Sequence, residues 1–177
     1  MKDPVSSVRL WLEEAVIGLN LCPFAKRELN AERIRFALSN DTDFELLLEH
    51  LAQELARIHE DESVETSLLI YSSGLKEFDD YLDFLDLAQA YLEDRGLLGV
   101  YQFASFHPQY MFAGTSHSDP ANYTNRAPYP VLHILREASL ERAIESYPDT
   151  QSIPERNIAL MQEHSAEYWQ SVFAKFD

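Results

Sequence analysis

The chain contains one cysteine, Cys22, and two histidines in unusual settings, His107 and His133. These side chains are the candidates for thiol or proton chemistry. Cys22 lies in LCPFAKR, directly before Pro23 and just ahead of Lys26 and Arg27. Proline suits the first position of a helix, so the spacing predicts a short helix opening at Pro23 with Cys22 as its N-cap. A sulfur there faces unpaired backbone N–H groups and the positive end of the helix dipole. With two cations close by, that setting lowers a thiol pKa from about 8.5 toward ~3.5–7.5. The competing role is packing, because free cysteine is among the most buried residue types.

His133 interrupts the apolar run VLHIL and shares a strand face with Val131 and Leu135. It is either a core histidine with a fixed hydrogen-bond partner or a ligand and proton carrier facing a pocket. His107 precedes Pro108, which favours an extended backbone and presents the ring at a strand end. Cys22, His107 and His133 would together make a Cys/His₂ set, which zinc accepts with one position open for water. The same three would equally make a thiol, its general base and an orienting group. No two of them have local metal-ligand spacing, so both readings require the fold to bring them together.

Anion recognition is the second candidate chemistry. A guanidinium holds a carboxylate or phosphate through two parallel hydrogen bonds. Arg35, Asn125, Arg126 and Arg136 are the residues assigned to that role. No phosphate loop, dinucleotide fingerprint, GxSxG elbow or HExxH occurs. Five glycines are too few to suggest a backbone cradle for a nucleotide.

The elements that must position these groups are readable from periodicity. Asp3-Pro4 starts a helix whose apolar positions are Val5, Val8, Leu12, Val16 and Leu19. Residues 33–38 alternate as a strand, with Arg33 and Arg35 on a wet face. Thr42-Asp43-Phe44-Glu45 reads as a capping box opening a helix through Ile58. Residues 66–71 are a buried strand. Ser73 caps a helix with Phe78, Tyr81, Leu82, Leu85 and Leu92 inward; it ends at Arg95-Gly96. Residues 98–106 and 131–136 are strands. Ser139 opens a short helix, and Ser152-Ile153-Pro154-Glu155 is a second capping box. It leads a last helix that buries Ile158, Met161, Ser165, Trp169, Val172 and Phe176.

The order α-α-β-α-β-α-β-β-α-α predicts an α/β or α+β protein with one sheet. About four mixed, mainly parallel strands are covered by helices, the fourth antiparallel to one of the others. Residues 107–130 fit neither period and hold four of the eight prolines. A segment that long and that aromatic reads as an ordered functional loop at the carboxyl ends of the strands.

Composition bounds the partners. A net charge of −16 disfavours nucleic acid. The charge is uneven: residues 77–94 carry seven acids and no base. No apolar run approaches the ~20 residues of a membrane span. The first residues lack a signal peptide's apolar core, and one cysteine cannot form an internal disulfide. The expectation is a single cytoplasmic domain over residues 1–177.

LCPFA, FHPQYMF and DPANYTNRAPYPVLHILREAS, in that order, resemble an uncharacterised bacterial and plastid family, domain of unknown function family 1415. The resemblance spans nearly the whole chain. It implies that Cys22, Pro23, His107, Pro108, Asn125, Arg126, Pro128, Pro130, His133, Arg136 and Glu137 match motif positions, and it brings no activity or cofactor with it. Ala127 stands where the family commonly has serine, so a serine nucleophile is not required there. The reading that results is an enzyme or binding domain for a small anionic molecule. Its pocket would be built by the Cys22 segment, residues 107–130 and His133. One alternative is a metal-binding protein using Cys22, His107 and His133; another is a non-catalytic interaction protein using the acidic helix 77–94.

Overall fold

Four strands make one sheet in the computed structural model of the chain, which describes residues 3–147 and 149–176. They are β1 (Ile34–Ser39), β2 (Thr66–Tyr71), β3 (Tyr101–Phe106) and β4 (Val131–Arg136), in spatial order β1-β2-β4-β3. β1 and β2 are parallel, and β4 is antiparallel to both β2 and β3. Three strands therefore point the same way, as the β-α-β pattern predicts. The fourth is inserted between β2 and β3 and so pairs with two neighbours, not one. Its sequence suits that place: Val131, Leu132 and Ile134 are fully buried, and they lie on both faces. β3 starts at Tyr101, later than expected, because Gly99 takes a φ of 78° and turns the chain after Leu97.

Among the described residues seven α-helices surround the sheet: α1 (Pro4–Trp11), α2 (Ala25–Asn30), α3 (Phe44–Glu60), α4 (Phe78–Asp94), α5 (Glu137–Ser146), α6 (Ile153–Gln162) and α7 (Ala166–Phe173). α1 begins as its sequence dictates, with the Asp3 carboxylate accepting from the Ser6 amide at 2.9 Å. It continues as a π-helical segment, Leu12–Ile17, a widened turn uncommon outside functional regions. Gly18 follows because a Cβ there would lie 2.2 Å from the Glu14 carbonyl oxygen.

Four local expectations are corrected. α3 is capped by Asp43, not Thr42; its carboxylate accepts from the amides of Glu45 and Leu46. α4 begins at Phe78, not after Ser73, because the chain first bends through Leu75 at a φ of 57°. The Ser152 hydroxyl donates back to the Asp149 carbonyl at 3.1 Å instead of capping α6. The final helix is two helices. Ser165, placed in the buried stripe by spacing alone, is exposed and caps α7 by accepting from the Tyr168 amide.

Side chains alternate across the sheet and define two different faces. On one, Leu69, Tyr71, Tyr101, Leu132 and Ile134 pack with Leu47, Leu51 and Ile58 of α3 and with Tyr81, Phe84, Ala88 and Leu92 of α4. Leu82, expected inward, is exposed; Phe84 and Ala88 carry the stripe instead. The expected wet face of β1 is covered too. Arg35 pairs at 2.6 Å with the buried Glu54 of α3, which also accepts from the Ser67 hydroxyl at 2.6 Å. The acids of residues 77–94 lie outward, as read. On the other face, Leu68, Ile70 and Val131 pack with Val8, Trp11, Leu12, Met161, Trp169 and Phe176. Among the described residues no helix is long and apolar enough to cross a membrane.

Candidate functional site

The second face is incompletely filled. A cavity of about 510 Å³ lies between the sheet, the π-helical segment, the chain around Cys22 and α5. That volume falls within the ~300–1,000 Å³ of typical small-molecule sites. Its walls are mainly apolar: Trp11, Leu12, Val16, Leu21, Phe24, Ile34, Leu68, Phe106, Leu135 and Leu140. Ala25, Ala104 and Ala143, from three separate elements, leave the space that larger side chains would occupy. Cys22, Thr66, His133 and Ser139 are its uncharged polar groups. Its charged lining is balanced, with Arg27 and Arg136 against Glu28 and Glu65.

His133 enters this cavity from β4. Its Nε2 lies 2.6 Å from the Thr66 hydroxyl, which donates to the Ile134 carbonyl at 2.6 Å. A hydroxyl has one proton to donate, so Nε2 supplies the hydrogen in the His133–Thr66 bond. Nδ1 is then a bare acceptor, and among the described residues it has no hydrogen-bond partner. Burial pushes the imidazole pKa down to about 4, so the ring is neutral near pH 7.

Cys22 lines the same cavity, but its predicted activation does not follow. Helix α2 starts at Ala25, not Pro23, because Pro23 and Phe24 form a turn ahead of it. The sulfur still receives the backbone N–H groups of Phe24 and Ala25, which favour the thiolate. Desolvation outweighs them and raises the thiol pKa above its ordinary value. Both candidate groups are therefore neutral, and no hydrogen bond joins them.

His107 is elsewhere. It is fully buried on the opposite face, stacked near Phe78 and Tyr81. Its Nε2 bonds the Leu75 carbonyl at 2.9 Å, and its Nδ1 accepts from the Gln109 amide at 3.0 Å. It holds the start of the long loop against the loop before α4. The Cys22, His107 and His133 set is thus not assembled, because the two histidines project to different faces. Among the described residues no group of three His, Cys, Asp or Glu side chains is placed to hold a metal ion.

The residues assigned to anion binding are largely engaged by the fold. Arg35 is paired with Glu54. Asn125 donates to the Ser105 carbonyl at 3.1 Å and accepts from the Thr124 hydroxyl. Arg136 donates to the carbonyls of Ile58, Asp61 and Val64, satisfying the carboxyl end of α3. Arg126 donates to the carbonyls of Tyr110 and His117 within the long loop. That loop is ordered, as expected, around the fully buried Asn122, whose side-chain oxygen accepts from the Phe112 amide and the Thr115 hydroxyl. It does not wall the Cys22–His133 cavity.

Two participants were not singled out by sequence. Thr66 looks like an ordinary strand residue, and only the β2–β4 register brings it to His133. Trp11 lines the cavity and donates its indole N–H to the Arg126 carbonyl at 3.0 Å, tying α1 to the long loop. Its position next to Leu12, off the predicted stripe, was the available signal.

A family model described as "Protein of unknown function (DUF1415)" matches residues 3–171. No curated protein and no solved structure matches the chain.

Proposed function

The chain belongs to the DUF1415 family, and from the geometry of its own cavity we propose that it binds a small, mainly apolar molecule bearing one hydrogen-bond donor. The observation that carries this reading is His133 Nδ1, a neutral acceptor without a protein partner on the wall of an apolar cavity of about 510 Å³. Such sites combine an apolar body with a few polar groups that fix orientation. An anionic ligand does not suit this cavity. Its charged lining sums to zero, and Arg136 already serves three backbone carbonyls. The neutral thiol of Cys22 acts as a polarisable part of the wall.

Binding of naphthalene and 1-naphthol to the full chain, followed by the fluorescence of its two tryptophans, of which Trp11 lines the cavity and Trp169 does not, tests this reading. The expected result is saturable binding of both, with 1-naphthol about fivefold tighter, the value of one ordinary hydrogen bond. In His133→Leu the fivefold preference disappears while naphthalene still binds. In Ala104→Phe, which fills the cavity, both bind at least tenfold more weakly. No saturable binding by wild type, or unchanged binding in Ala104→Phe, overturns the proposal.

A further inference from the structure

A second cavity, of about 430 Å³, lies between the long loop and α7 and shares no lining residue with the first. Arg126 lines it and is 93% buried, its relative exposure being 7%. Its charge has no counter-ion: among the described residues no carboxylate lies within ion-pairing distance of it. The guanidinium instead stacks 4.5 Å from the centre of the Tyr123 ring. Nε donates to the Tyr110 carbonyl at 3.3 Å and one Nη2 hydrogen to the His117 carbonyl at 2.9 Å.

That leaves Nη1. Among the described residues it has no hydrogen-bond partner, and it is not among the sealed, unsatisfied buried atoms. Nη1 is therefore not sealed, and Arg126 lines the cavity. Burying a cation without neutralising it is costly, and pairing it with an anion recovers much of that cost. Carbonyl partners orient the fork without cancelling its charge. The one carboxylate on the cavity wall, Glu167, is exposed in the first turn of α7 and lies outside ion-pairing distance of Arg126; hydrogen bonds from its own amide and from Ser165 hold its pKa down. Gln109, Ser118 and Gln170 add uncharged hydrogen-bonding groups, and Phe173 adds an apolar wall.

We propose that this cavity binds the oxyanion of a small organic molecule, a carboxylate or a phosphate, seated on Nη1 of Arg126. The long-range field of a chain carrying −16 opposes anions, so an anion that binds must be held by local contacts. The proposal is independent of ligand binding in the first cavity.

The thermal midpoint of the full chain, measured in sodium phosphate, sodium acetate and sodium chloride at equal ionic strength, provides the test. A site of ~10 mM affinity raises the midpoint by about 3–5 °C at ~100 mM anion. Phosphate alone doing so identifies a phosphate site, and acetate doing so a carboxylate site. Gln170 is exposed on α7, so replacing it does not disturb the loop. Gln170→Glu places a carboxylate on the wall, raises the midpoint in chloride and abolishes the added shift. Gln170→Lys enlarges the shift. Equal midpoints in all three salts overturn the proposal. So does a phosphate or acetate shift that persists unchanged in Gln170→Glu, which is general salt stabilisation.

Discussion

On the α3–α4 face of the sheet, His107 is fully buried and both ring nitrogens have backbone partners; on the other face, His133 is bonded through Nε2 only and turns Nδ1 toward a cavity. The two residues have the same chemistry, and burial lowers the pKa of both. They differ in what surrounds them. α3 and α4 are long helices of 17 residues each, and their buried stripes close over the strands. The other face is covered by shorter pieces, including a π-helical segment and the six-residue α2. Short elements meeting at angles leave gaps that continuous stripes do not. One face thus supplies stability, and the other, at some loss of packing, supplies space.

The sharpest break of that comparison is in the core. Leu51→Ala on the closed face should cost about 3–5 kcal/mol in denaturant unfolding, because the hole it leaves cannot collapse. Leu140→Ala, beside an existing cavity and already half-buried, should cost about 1 kcal/mol. Equal costs would mean that the two faces are packed alike.

The acid side of the stability curve comes next. His133 has a folded pKa of about 4 against an ordinary value of 6.5. Between those values the unfolded chain binds the proton and the folded chain does not. The penalty of keeping the folded ring unprotonated is therefore absent above pH ~6.5 and grows as pH falls toward 4, reaching up to about 3 kcal/mol. His133→Leu should flatten that part of the profile, measured by urea unfolding from pH 7 to pH 4.

Replacing each histidine by leucine separates their roles at pH 7. His107→Leu should cost about 2 kcal/mol, because it strands the Leu75 carbonyl and the Gln109 amide away from water. His133→Leu should cost less than about 1 kcal/mol, since the Thr66 hydroxyl keeps the Ile134 carbonyl. The reverse ranking would assign structure to the wrong histidine.

The smallest effect is at Cys22. Its substitution by alanine should change stability by about 1 kcal/mol or less. Its thiol should react with a neutral maleimide at pH 7 at least about tenfold more slowly than a free cysteine. A rate equal to or above that of free cysteine would restore an activated thiol.

Much of the fold was legible because periodicity reports burial. β2 and β4 have the expected limits, since both are apolar runs, β2 between Glu65 and Ser72 and β4 between Pro130 and Glu137. Asp3 caps α1 as Asp-Pro predicts. The errors lie where two neighbouring residues compete for one role. Thr42 and Asp43 are both good caps, and only the backbone of the turn selects Asp43. Ser165 matched a helical stripe by spacing alone and turned out to begin a helix. At the site, the one pocket expected from Cys22, His133, His107 and the loop is divided: Cys22 and His133 line one cavity, His107 lies on the other face, and the loop does not wall that cavity. Sequence proximity to a strand end does not say on which side of the sheet the chain leaves it.

The sequence by itself determined the four strands, their order among most of the helices, the parallel direction of three strands and the peculiarity of LCPFAKR, residues 107–130 and VLHIL. All of these follow from local pattern and from the right-handedness of β-α-β crossovers. Tertiary structure alone decided that His107 and His133 face apart, that desolvation outweighs two N–H groups at Cys22, and that Arg126 is buried without a counter-ion. Each of those depends on which surfaces are sealed, and sealing is a property of several elements at once.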